Sequence, residues 1–70
     1  MDKGGHERVA ARLGTAFYEI LLATKQQRVT PGQRDEWSSA CDAAAAAGLP
    51  PEMWAKAIGD ARVEARHAGE

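Results

Sequence analysis

Five consecutive alanines, Ala43 to Ala47, run directly into Gly48-Leu49-Pro50-Pro51. Alanine has the highest intrinsic helix propensity and almost no side-chain bulk, so the run predicts a helix that neighbours can approach closely. Glycine readily takes the left-handed conformation that ends a helix, and proline just beyond it prevents continuation. The second proline suits the first turn of a following helix. Helix, tight corner and helix are thus prescribed within one short stretch, and the expected fold class is all-α.

Upstream, Val9, Leu13, Ala16, Phe17, Ile20, Leu21 and Thr24 recur at three- and four-residue steps, the period of a helix. They predict a first helix over 6–27 with an inner stripe roughly 140° wide. Arg8, Arg12, Glu19 and Gln26 fall on the opposite flank, where water is expected. Ala11, Gly14, Tyr18 and Leu22 form a second, partly apolar strip between the two. Thr30-Pro31-Gly32-Gln33 reads as a helix start: a hydroxyl N-cap, proline at the first helical position, and glutamine placed for a capping box. Asp35 and Glu36 are expected in the first turns, where the helix dipole favours acidic groups.

The second helix, predicted over 31–47, presents Trp37, Ala40, Cys41, Ala44 and Ala47 on one face. The third, predicted over 51–67, carries an inner stripe of Met53, Trp54, Ala57, Ile58, Ala61 and Ala65. Glu52, Lys56 and Asp60 lie four residues apart on its outer face, and Val63 falls off the stripe. Short joints predict one compact three-helix bundle over 6–68, the first helix packed against the other two, after a flexible stretch over 1–5.

A chain of 70 residues is near the lower limit for folding unaided. Its large apolar side chains are few and concentrated in the first helix, whose companions are lined with alanine. That imbalance predicts association with a second copy or a partner. The net charge of −1 supplies no positive field for phosphate binding. Cys41 is the single cysteine, so no intrachain disulfide forms and a reducing compartment is the natural setting. The polar start lacks an apolar signal core, and Arg12 and Glu19 interrupt the short apolar run from Val9 to Ala23. A cytoplasmic location with no membrane partner is the expectation.

Little here points to reaction chemistry. Cys41 lies between alanines on an inner face, where a thiol acts as a small hydrophobe. His6 and His67 sit near opposite ends and make no metal-ligand spacing with Cys41. Ser38 and Ser39 have no histidine that the sequence can place beside them, and no glycine-rich phosphate loop is present. We therefore expect no catalytic residue, no cofactor, no metal and no small-molecule substrate.

The corner itself resembles a DNA-binding helix-turn-helix at Ala44, Gly48, Leu49, Trp54 and Ala57. The resemblance implies a minimal DNA-binding regulator using residues 43–66, with Lys56, Arg62 and Arg66 against phosphate. The exposed early positions of its second helix, Glu52, Ala55, Lys56, Gly59 and Asp60, lack the Arg, Asn and Gln that read base edges. DNA binding is accordingly the alternative. The principal expectation is a protein–protein interaction module, a regulator, adaptor or inhibitor. It would dock through Ala11, Gly14, Tyr18, Leu22 and Lys25 on the outer side of the first helix, onto a larger protein or a second copy. Alanine- and arginine-rich usage fits a GC-rich genome, and phages and mobile elements, which encode many small solitary proteins, are the expected source.

Overall fold

The computed structural model describes residues 3–68, with side chains from residue 5 onward. Three α-helices follow one another: α1 (Lys3–Lys25), α2 (Pro31–Ala46) and α3 (Pro51–Ala68). They form the expected three-helix bundle. Residues 3–5 belong to α1, which therefore begins earlier than the apolar period indicates; the remainder of the stretch expected to be flexible, residues 1–2, lies outside the described residues.

Each helix end has a local cause. The last turn of α1 closes with Arg28 N–H donating to Ala23 O at 2.8 Å and Gln27 N–H to Thr24 O at 3.1 Å. Those two bonds need a left-handed residue at position 27, and Gln27 supplies it with φ 58°. This is why α1 stops at Lys25 and not at Gln27: no glycine marks the stop. At the start of α2 the capping box is complete. Gln33 N–H donates to Thr30 Oγ1 at 3.2 Å, and Thr30 N–H donates to Gln33 Oε1 at 2.9 Å. Asp35 and Glu36 fall just past the first turn, which holds no acidic residue.

The corner forms as the alanine-glycine-proline pattern requires. Gly48 has φ 69°, Gly48 N–H donates to Ala45 O at 3.1 Å, and Leu49 N–H donates to Ala44 O at 3.0 Å. Pro51 then opens α3, with Pro50 O accepting from Met53 and Trp54. Glu52 in the first turn of α3 and Arg66 in the last suit the helix dipole.

Alpha1 is the spine of the molecule. Both α2 and α3 pack on it, while among the described residues no pair of Cα atoms within 8 Å joins α2 to α3. The result is a slab of 39 × 25 × 16 Å. Near the corner the spine is covered by leucines and alanines, and at its far end the buried residues are alanines only, Ala23, Ala61 and Ala65. Leu13, fully buried, sits with Ala16, Ala40, Ala44 and Leu49 in the core, and Val9, Met53 and Trp54 pack around them. Farther along the same stripe, Phe17, Ile20 and Leu21 are half-buried and Thr24 is exposed, its hydroxyl turned back to Ile20 O at 2.8 Å. The inner stripe thus opens to solvent at its C-terminal end. Ala47, read as inward, is exposed because it lies in the corner beyond the end of α2.

Candidate functional site

Of the large apolar side chains described, only Leu13 and Leu49 are buried; the other buried residues are all alanines. Phe17, Tyr18, Ile20, Leu21, Leu22, Trp37, Met53, Trp54 and Ile58 are each half-buried, and Val63 is 50% exposed. Small alanine faces allow close helix approach but cannot cover rings and branched chains from both sides. The Phe17 and Trp37 rings meet at 5.0 Å, tilted by 34°, and partly shield one another across α1 and α2.

The five residues expected to form one docking strip separate into three environments. Ala11, Gly14 and Tyr18 line a hollow of about 440 Å³ between α1 and α3. Leu22 lines an adjoining hollow of about 230 Å³ towards the joint with α2, beside Arg28 and Gln33, and Glu19 borders both hollows. Lys25 is engaged within the chain, its Nζ donating to Ala65 O at 3.1 Å in the last turn of α3. Gly14 also has a neighbour inside the molecule: a Cβ built there would lie 3.5 Å from Ala57 O, an ordinary contact, so α3 lies over this position and leaves room for no more than a methyl group. The strip is one-sided by helix period, but the seat of α3 divides it.

The α1–α3 hollow continues into a neighbouring one of about 340 Å³ that shares Ala10, Ala11, Ala57 and Asp60. Its uncharged lining is mostly alanine and glycine, with Thr15, Tyr18 and Met53 beside them. Its walls carry carboxylates, Glu7 and Glu19 from α1 with Asp60 and Glu64 from α3. Lys56 is the one cation among the lining residues, and it pairs with Asp60 at 3.2 Å. Reading the sequence missed this acidic border because Glu7 and Glu19 sit on one helix and Asp60 and Glu64 on another, and only the parallel course of α1 and α3 brings them together.

Other polar groups bind the helices to one another. Arg12 Nε donates to Glu36 Oε2 at 2.9 Å and Arg12 Nη2 donates to Ser39 Oγ at 3.2 Å, joining α1 to α2 along their exposed edge. The guanidinium holds the Glu36 carboxyl below its usual range, through the hydrogen bond first and charge second, and Glu36 in turn raises Arg12. Cys41 is half-buried, and burial followed by the neighbouring Asp42 charge pushes its thiol pKa up. A raised thiol is a poor nucleophile at neutral pH. Among the described residues no group of three His, Cys, Asp or Glu side chains stands close enough to hold a metal ion.

The residues assigned to phosphate in the alternative reading do not form one stripe. Arg62 and Arg66 are exposed one turn apart, but Lys56 lies roughly 120° around the helix from Arg62 and is committed to Asp60. None of the described helices is long and apolar enough to cross a membrane. No family model matches the chain, and no curated protein or solved structure matches it either.

Proposed function

We propose that this chain is a non-enzymatic protein-docking module that works by occupying the surface of a larger protein, as a regulator, adaptor or inhibitor. The observation that carries the reading is the mismatch between a core of two leucines and six alanines and the partly buried aromatic and branched side chains around it, none of which the core fully covers. Apolar side chains left partly open on the surface of a small protein are where partners dock when they join into a patch. The face formed by Ala11, Gly14 and Tyr18 with α3 is the proposed contact, with Leu22 at its margin. The unpaired Cys41 fits a reducing compartment, so the cytoplasm is the proposed place of action.

The test compares the parent chain with the double variant Tyr18→Glu and Leu22→Glu, using affinity capture from the native host and solution mass across concentration. Loss of a specific captured protein, or of self-association, in a variant with unchanged helix content supports docking. A folded monomer that captures nothing and ignores both changes removes it.

A DNA-binding regulator built on residues 43–66 is the second reading, resting on the formed corner with Gly48 left-handed and Leu49 buried. A labelled duplex titrated at low and then higher salt decides it. Phosphate engagement gives a steep loss of affinity with salt, whereas no binding at low salt ends that reading.

A further inference from the structure

The groove between α1 and α3 has a shape and a charge that together select a class of partner. It follows α1 from Glu7 to Glu19, about 18 Å at ~1.5 Å per residue, which is the length of some three helical turns. Its uncharged lining is mostly small, Ala10, Ala11, Gly14, Ala57 and Ala61, with Tyr18 and Met53 as the larger apolar members. Such a lining lets another helix come within about 8–10 Å, axis to axis, and bury its apolar stripe against methyl groups.

The border sets the sign of the occupant. Glu7, Glu19, Asp60 and Glu64 face the groove against the single ammonium of Lys56, which already lies 3.2 Å from Asp60. All four residues are solvent-exposed; Asp60 is shared with Lys56, and Glu7, Glu19 and Glu64 are open to an incoming cation. A second copy docking symmetrically through this groove would set the same carboxylates against one another, and like charges across an interface oppose association. Nucleic acid is disfavoured for the same reason.

We propose that the groove receives a cationic amphipathic helix of a partner protein, its apolar stripe on the alanine-rich lining and its Lys or Arg side chains against Glu7, Glu19, Asp60 and Glu64. The proposal rests on the docking reading above and adds the partner's chemistry to it. Charge complementarity of this type speeds encounter and fixes register.

The experiment uses the full chain, isotope-labelled, with a synthetic amphipathic helical peptide of about four turns that carries leucine and alanine on one face and lysine on the other. Matched peptides replace lysine by glutamate or by glutamine. The expected result is binding of the lysine peptide, with amide shifts centred on Ala11, Gly14, Tyr18 and Ala57 and an affinity that falls as salt rises. Glu19→Lys with Glu64→Lys should weaken binding by about tenfold or more, with Glu19→Gln and Glu64→Gln intermediate, while far-UV dichroism stays unchanged.

Absence of shifts with the lysine peptide overturns the proposal, as do shifts on another face or indifference to the charge reversals. Equal binding of the glutamine peptide in the same groove would remove the cationic partner yet leave docking intact. The capture comparison with Tyr18→Glu and Leu22→Glu reports on docking alone, so the two failures can be told apart.

Discussion

His6 Nε2 lies 3.0 Å from the carbonyl oxygen of Ala47, tying the first turns of α1 to the residue that caps α2. The acceptor is a main-chain carbonyl, so the imidazole donates. Carbonyls at a helix end lack partners within the helix, and here a side chain from another element supplies one next to the Gly48 corner. Replacing His6 by Ala is expected to lower stability by about 0.5–1.5 kcal/mol, the range for one net hydrogen bond. Urea unfolding of parent and variant measures it. An unchanged midpoint would show that the contact contributes nothing in solution.

Gln27 holds a left-handed conformation with φ 58° so that Arg28 and Gln27 can close the end of α1. A side chain other than glycine is strained there by roughly 1 kcal/mol. Gln27→Gly should therefore stabilise the protein by about 0.5–1 kcal/mol, although glycine elsewhere in the helix would do the opposite. Thermal unfolding by circular dichroism reads the sign directly, and a lower midpoint contradicts the assignment of the turn.

Among the described residues Leu13 is the one large side chain with no exposure, set among Ala16, Ala40, Ala44 and Leu49. Leu13→Ala is expected to cost about 2–5 kcal/mol, a large part of the stability of so small a domain. Val63→Ala, on the exposed side of α3, is the control and should change stability by less than about 0.5 kcal/mol. Similar losses in the two variants would place the core elsewhere.

The Arg12–Glu36 pair predicts a direction with pH. The Glu36 carboxyl is held low by Arg12, so the folded state binds its proton less readily than the unfolded chain does. The stabilisation is complete above the ordinary carboxylate range and is lost as pH falls through the depressed value. A carboxyl-carbon NMR titration should give Glu36 a midpoint below those of free glutamates, and Arg12→Gln should return it to their range. A midpoint that ignores the substitution would exclude the pair in solution.

Cys41 offers a kinetic check on the α2 face. With its thiol raised by burial and by Asp42, alkylation at neutral pH should be slower than that of a cysteine in an unstructured peptide and should reach the peptide rate in denaturant. Fast labelling of the native chain would reopen a nucleophilic role.

The docking strip shows where sequence reasoning stops. Helix period correctly puts Ala11, Gly14 and Tyr18 on one side of α1, yet it extends that strip to Leu22 and Lys25, which the folded chain uses differently. Lys25 binds Ala65, forty positions away in the chain, and Leu22 turns towards the joint with α2. No local signal contains either fact. The carboxylate border was equally invisible, since it is assembled from two helices that only packing makes neighbours.

The sequence by itself determined the elements whose bonds are local: the capping box at Thr30 and Gln33, the glycine corner after the alanine run, and the helix period that names Leu13 as inward. These involve groups within a few residues of one another, so the chain carries both partners in the same short segment. Only the tertiary structure decided that the inner stripe opens at Thr24 and that Glu7, Glu19, Asp60 and Glu64 border one groove. Each depends on where α2 and α3 lie against the shared α1 spine, because that packing alone brings together groups far apart in the chain.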